Sequence, residues 1–274
     1  MLFTNLFTKT RRPWLSDSSQ PYPPNMPFFI DPTGWPEVKR IEENWTIIRD
    51  ELLEALAKED SGLVPYKDLA KTDKKASWST AGLVYWTVRS PENIARFPKT
   101  WALFKNIPNV TSCSIHRLSP HSTIKPHIGD TDAMARFHVG LVIPAGLPRC
   151  GFRCGTERKE WVEGKALCFN DAQEHTAWNN TDDERFIISF DLMYPEYFHM
   201  RHWIGAQVLG KISVEVLYQH KAWLRHYFNT NWARKSLICF FKAERYAQLK
   251  LSYWYNLAQQ RWSSSRRAGE QSHA

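Results

Sequence analysis

The sequence predicts a mainly β core with flanking α-helices and a helical C-terminal extension. Three observations predict it. Between Ala81 and Met193 the apolar residues fall in short runs bounded by Gly, Pro, Asn and Asp, the pattern of a β sandwich or barrel. On either side, over 37–58 and about 202–262, apolar positions recur with a helical period. The charge is divided as well. The 274 residues hold 36 Lys and Arg against 28 Asp and Glu. From Arg201 onward there are 12 basic and 3 acidic residues, so that segment carries +9 and the first 200 residues −1. A uniformly cationic nucleic-acid coat is thereby excluded.

Three segments follow: an extended N-terminal arm over 1–36, a β domain over 37–200 and a basic, aromatic-rich helical extension over 201–274. The arm contains PYPPNMPFFIDPTGWP, and proline both removes amide donors and fixes φ, so little regular structure is expected there. One helix is expected over 37–58, with Val38, Ile41, Trp45, Ile48, Leu52, Leu53 and Leu56 on its apolar side. Residues 61–80 read mostly as polar loop. Strands are expected around 83–88, 112–118, 136–143, 151–154, 165–169 and 186–193, with a hairpin turn at Gly164. In the extension, Ile204, Val208, Leu209, Ile212 and Val216 share a helical face. That face is expected to pack on the β core or on another subunit; the other reading is contact with an anionic membrane surface.

No apolar run approaches the roughly 20 residues of a membrane-spanning helix, and no signal peptide is read at the start. Five cysteines at no disulfide-framework spacing point to a reducing, cytoplasmic setting, and the lone Cys150/Cys154 pair is weak as a zinc motif.

The chemistry sits in the near-neutral part. His127 in KPHIGD and His175 in NDAQEHTAW each lie at the edge of an expected strand and could converge on iron, zinc or copper; taken alone, each reads rather as a satisfied structural histidine. Arg136 and His138, two apart in one strand, share a face opposite Phe137 and Val139 and need an anion if buried. Arg185 opens RFIISFDL and could point the same way, or stay at the surface after an acidic run. Two inward arginines would suit a dicarboxylate.

The text PHIGDTDAMARFHVGLVIP, then WVEGKALCFNDAQEHTAWN, then RFIISFDLMYPE resembles the aspartyl/asparaginyl β-hydroxylases within the Fe(II)/2-oxoglutarate dioxygenases. The likeness covers about 80 residues strongly, and each fragment alone would be weak. It implies a double-stranded β-helix (jelly roll, cupin-like) with Fe(II) held by His127 and His175. Gly129 stands where the wider superfamily has a carboxylate ligand, as in the β-hydroxylase branch, and no catalytic residue beyond the metal ligands is implied. Arg136 and His138 match contacts to the metal-proximal end of 2-oxoglutarate, and Arg185 matches the partner of its distal carboxylate. The serine that assists that carboxylate falls on His116, with Ser114 the nearest hydroxyl on the same face.

The expected activity is hydroxylation of an unactivated C–H in an amino-acid, peptide or small-metabolite substrate, with 2-oxoglutarate and O2 converted to succinate and CO2. The alternatives are a halogenase that uses the vacant ligand position and a non-catalytic cupin-like binding module. The expected partner is a peptide or small molecule, with a homodimer or a membrane-surface contact through the extension and no nucleic acid.

Overall fold

The computed structural model describes residues 12–18, 20–66, 71–227 and 230–271, with only the helical backbone given for 231 and 255–271. The start of the expected arm, part of the 61–80 loop and the Trp262 side chain lie outside the described residues. The chain divides into two units, Met1–His199 and Met200–Ala274.

In the first unit, α1 (Pro36–Glu43) and α2 (Trp45–Ala57) replace the single expected helix. Asn44 breaks it at φ −118°, ψ 16°, its side-chain amide donating to Arg40 O at 2.8 Å in competition with the helical ladder. The β elements are β1 (Val64–Pro65), β2 (Trp78–Tyr85), β3 (Val88–Arg89), β4 (Val110–Leu118), β5 (Ser122–His127), β6 (Met134–Val142), β7 (Cys150–Cys154), β8 (Glu157–Lys159), β9 (Ala166–Phe169), β10 (His175–Asn179) and β11 (Arg185–Met193). Two short helices, α3 (Pro91–Arg96) and α4 (Pro98–Phe104), interrupt the β region where none was expected. Each starts on proline, which suits a first turn whose amides have no partner within the helix. Gly164 does form a turn, at φ +72°, but no strand precedes it: Trp161 and Val162 are irregular.

The larger sheet runs β1-β2-β4-β11-β6-β9 with β3 beside β2, and the smaller runs β5-β10-β7-β8. From β4 to β7 and again from β8 to β11, successive strands alternate between sheets. That is the double-stranded β-helix, so the jelly-roll core is as expected.

Strand alternation then sorts two cores. On the outer face of the larger sheet, Cys113 and Ile115 of β4, Phe137 and Val139 of β6, and Ile188 and Phe190 of β11 pack with Ile41, Ile48, Leu52, Phe97 and Phe104 from the helices. The inner face joins the smaller sheet around Trp78, Leu118, Phe152, Trp161, Phe169 and Ile187. The arm lies along the loop after β5 and along the end of β9. Ser16 N donates to Asp130 O at 2.9 Å, Ile30 N to Cys168 O at 3.0 Å and Asn170 N to Phe28 O at 3.0 Å.

The second unit is built from α5 (Arg201–His220), α6 (Ala222–Tyr227) and α7 (Asn231–Gln271). α5 and α7 run antiparallel: His202 meets Tyr253 at 5.1 Å between ring centroids, and Gly210 faces Lys242. A β-carbon at Gly210 would come within 2.8 Å of the Lys242 backbone nitrogen, so the close crossing needs glycine there. Among the described residues no helix is long and apolar enough to cross a membrane.

Candidate active site

All seven expected site residues are on the strands of the jelly roll. His127 ends β5 and His175 begins β10, and the antiparallel register pairs them directly. Their ring centroids are 4.2 Å apart at 59°. Each Nδ1 faces a carbonyl two residues back, Lys125 O at 2.8 Å and Gln173 O at 2.9 Å. A carbonyl only accepts, so each Nδ1 carries the proton and donates, and each Nε2 keeps its lone pair. Burial pushes both imidazoles down to about 3. Two neutral imidazoles with adjacent free lone pairs fit a divalent first-row metal.

Among the described residues no third His, Cys, Asp or Glu completes a three-ligand cluster. A carboxylate does stand beside the pair. Asp171 Oδ1 is 3.5 Å from His175 Nε2, and the Asp171 side chain is only 2% exposed. A β-carbon built on Gly129 would overlap the Asp171 carboxylate, so the space that a side chain at 129 would fill is already taken. The sequence reading included Asp171 in the motif text and gave it no role. Its clearest local signal is its position four residues before His175. Asp130, by contrast, is engaged with the arm through Ser16 Oγ at 3.1 Å.

From the larger sheet come Ser114, His116, Arg136, His138 and Arg185. Each has the strand parity opposite to the residues packed on the helices, so all five face inward. Arg136 is already engaged. Its Nε and Nη2 donate to both oxygens of Asp191 at 2.7 and 2.9 Å, and Nη1 donates to Asp171 at 2.5 Å. The anion that an inward Arg136 required is therefore protein-borne, and the guanidinium links Asp171 to β11.

Arg185 differs. It is 1% exposed, and its Nε and Nη1 meet no acceptor among the described residues. Its guanidinium lies 4.5 Å from the Trp161 ring centroid. Burial pushes it down to about 10, which leaves it charged at neutral pH. Two more buried nitrogens lie nearby without partners among the described residues, His138 Nδ1 and the Trp161 indole N–H. His138 packs 6.2 Å from Trp161 and 4.9 Å from Phe169, and Phe169 packs 5.2 Å from His175. A continuous aromatic wall thus runs from the histidine pair to the uncompensated cation.

His116 and Ser114 are joined rather than alternative. Trp78 Nε1–H donates to His116 Nδ1 at 3.0 Å, which puts the imidazole proton on Nε2. That Nε2–H then donates to Ser114 Oγ at 2.6 Å and leaves the hydroxyl hydrogen free for another acceptor. Burial pushes His116 down to about 3, with Arg185 and Arg136 adding to the shift, so the neutral form holds. The cysteine pair of β7 is buried and free, and burial pushes the Cys154 thiol up to about 12.

The profile of the family described as Aspartyl/Asparaginyl beta-hydroxylase matches residues 42–195. An ornithine lipid ester-linked acyl 2-hydroxylase of Rhizobium tropici is 31% identical over 210 residues, covering 74% of each chain. The aspartyl/asparaginyl beta-hydroxylase of Homo sapiens is 35% identical over 170 residues, 60% of this chain, which spans about a fifth (22%) of the human protein. A prolyl-4-hydroxylase structure from Pseudomonas putida aligns at a TM-score of 0.38 and 10% identity over 57% of this chain and 98% of its own. That likeness is too low to carry weight, and the fold rests on the strand order. The profile spans the strands from β1 to β11 and both histidines, and the relatives it groups are named as hydroxylases. On that match, the chain belongs to the aspartyl/asparaginyl beta-hydroxylase family.

Proposed function

We propose that this protein is an Fe(II)- and 2-oxoglutarate-dependent dioxygenase that hydroxylates an aliphatic carbon next to an acyl carbonyl. One substrate C–H becomes C–OH while 2-oxoglutarate and O2 become succinate and CO2. The observation that carries the reading is Arg185, a buried guanidinium without an acceptor among the described residues, at the far end of an aromatic wall from the histidine pair. A scaffold gains nothing from an uncompensated buried cation, which costs stability until an anion arrives. A dicarboxylate long enough to reach from the histidines to Arg185 would fit both ends, whereas a binding module with a structural metal would not need the second.

In this reading the catalytic domain is 37–200. His127 and His175 would hold the metal through Nε2, with proton positions fixed by the carbonyls of Lys125 and Gln173. When bound, Fe(II) supplies oxygen activation. Arg185 and the Ser114 hydroxyl, oriented by His116 and Trp78, would take the distal carboxylate of 2-oxoglutarate. His138 Nδ1 faces the same space with no other partner among the described residues. Phe152, Phe169 and Trp161 are all buried between these ends and would keep water out. Asp171, held by Arg136, would accept hydrogen bonds from water beside the metal. A carboxylate there supports hydroxylation over halogenation, because it repels a halide.

Two named reactions suggest the substrate's chemistry. The 2-position of an acyl chain and the β-carbon of aspartate are each adjacent to a carbonyl carbon. The lipid-directed relative matches this chain over three quarters of both lengths, which favours an acyl substrate over a peptide. The five free thiols support a reducing compartment such as the cytoplasm.

The test is turnover of metal-loaded protein with labelled 2-oxoglutarate and O2, presented with acyl lipids or with aspartyl peptides. Succinate formed in step with a product one oxygen atom heavier is expected. A folded, metal-loaded protein that neither binds nor consumes 2-oxoglutarate overturns the proposal.

A further inference from the structure

We propose that the second unit docks on an anionic bilayer surface, lying in the interface through an outward apolar stripe of α7. At 3.6 residues per turn, Trp232, Phe240, Ala243, Ala247, Leu251 and Trp254 fall within an arc of about 100°. Leu249, Lys242 and Arg245 lie on the opposite side; Lys242 packs against Gly210 and Arg245 donates to Ser213 Oγ at 3.1 Å, both on α5. The stripe therefore points away from α5. It is also bare: Trp232 is 79% exposed, Phe240 64%, Leu251 70% and Trp254 60%.

Every exposed Trp or Phe among the described residues belongs to the second unit, Trp223 of α6 included at 60%. Solvated apolar area of this kind is costly on an isolated surface and marks a contact.

Charge selects the occupant. The segment from Arg201 carries +9, with Lys235 and Lys250 beside the stripe. The one acid between Asn231 and Trp254, Glu244, lies 3.4 Å from Arg245. A second copy of this chain would set +9 against +9, whereas an anionic lipid surface attracts it. Relief points the same way. Tryptophans and a phenylalanine alternate with Ala243 and Ala247, an uneven profile that fluid acyl chains fill and that a regular helix seam does not. Trp and Tyr with one apolar and one polar side are the side chains that prefer the headgroup level.

The test is co-sedimentation of the full chain, without metal or cosubstrate, with vesicles of phosphatidylcholine alone or with phosphatidylglycerol added. Its outcome is thus separate from that of the reaction proposed above. Preferential binding to the anionic vesicles, weakened by salt, is expected. The combined Trp232→Ser, Phe240→Ser, Leu251→Ser and Trp254→Ser variant should lose binding about tenfold or more while keeping its helical circular dichroism. Lys235→Glu with Lys250→Glu, a gentler change, should lower anionic binding and leave neutral binding as it was. Equal partition into both vesicle types overturns the proposal. So does a four-serine variant that binds like the parent, or a dimer that this variant converts to monomer with no vesicle binding by either.

Discussion

The Asp171 carboxylate occupies the volume into which a side chain on Gly129 would project. The two positions are 42 residues apart, brought together because Gly129 follows β5, Asp171 precedes β10, and β5 and β10 pair. Gly129 N also donates to Asp171 O at 2.7 Å. A carboxylate ligand cannot therefore be restored by a simple substitution at 129.

Gly129→Ala is expected to destabilise the protein by about 1–3 kcal/mol, the usual range for forcing atoms into a filled site. Asp171→Ala is destabilising on its own because it removes an acceptor from Arg136. The double variant should cost less than the two singles together, since the second change removes the carboxylate part of the clash and leaves only the contact with the Asp171 backbone oxygen, 2.7 Å from the added β-carbon. Urea unfolding of the four proteins measures this, and strict additivity would contradict the steric relation.

Arg185 gives a prediction of unusual sign. Replacing a buried charge that has no acceptor by an apolar side chain of similar length relieves its desolvation. Arg185→Met is therefore expected to stabilise the metal-free protein, by roughly 1–4 kcal/mol. Thermal unfolding without ligand checks it. A loss of stability would mean that Arg185 has a partner in the resting protein.

Acid should weaken the fold through the buried histidines. The folded-state value of about 3 for His175 lies below its ordinary 6.5. On lowering the pH the unfolded chain takes up the proton first. The stability present above pH 6.5 is then lost as the pH falls toward 3, by about 1.4 kcal/mol per pH unit for each such group. His116 and His127 act in the same direction. Urea midpoints of metal-free protein that do not fall between about pH 7 and about pH 5.5 would contradict neutral burial of these rings.

The indole of Trp78 is expected to set the His116 proton. Nitrogen-15 NMR should find His116 protonated at Nε2 and not at Nδ1. Trp78→Phe should release that preference and raise the 2-oxoglutarate KM more than it lowers kcat, because the effect passes through Ser114 to the anion. A KM that does not move would disconnect the relay from the cosubstrate.

What the sequence made legible followed strand periodicity. Alternation put Arg136 with His138 on one face of β6 and Ser114 with His116 on one face of β4. The orientation of Arg185 stayed open, and the choice of His116, Ser114 and Arg185 as site residues came from the family resemblance. Their strands lie next to one another in the sheet, so a correct parity for each implied a common site. Short elements were harder. α3 and α4 have six and seven residues, too few to show a helical period between strands. The break at Asn44 was hidden because apolar spacing continues through it from Ile41 to Trp45. The commitment of Arg136 to Asp171 and Asp191 depends on contacts across 35 and 55 residues, for which no local pattern exists.

The central claim is that one inward cavity joins a metal at His127 and His175 to a dicarboxylate at Arg185. Anaerobic calorimetry of 2-oxoglutarate binding, with and without Fe(II), tests it most directly. One molecule is predicted to bind per chain, more tightly with metal present. Arg185→Met should abolish the binding, and His127→Ala with His175→Ala should remove only the gain from metal. Binding that is indifferent to both changes, or no binding by the folded parent protein, would contradict the account.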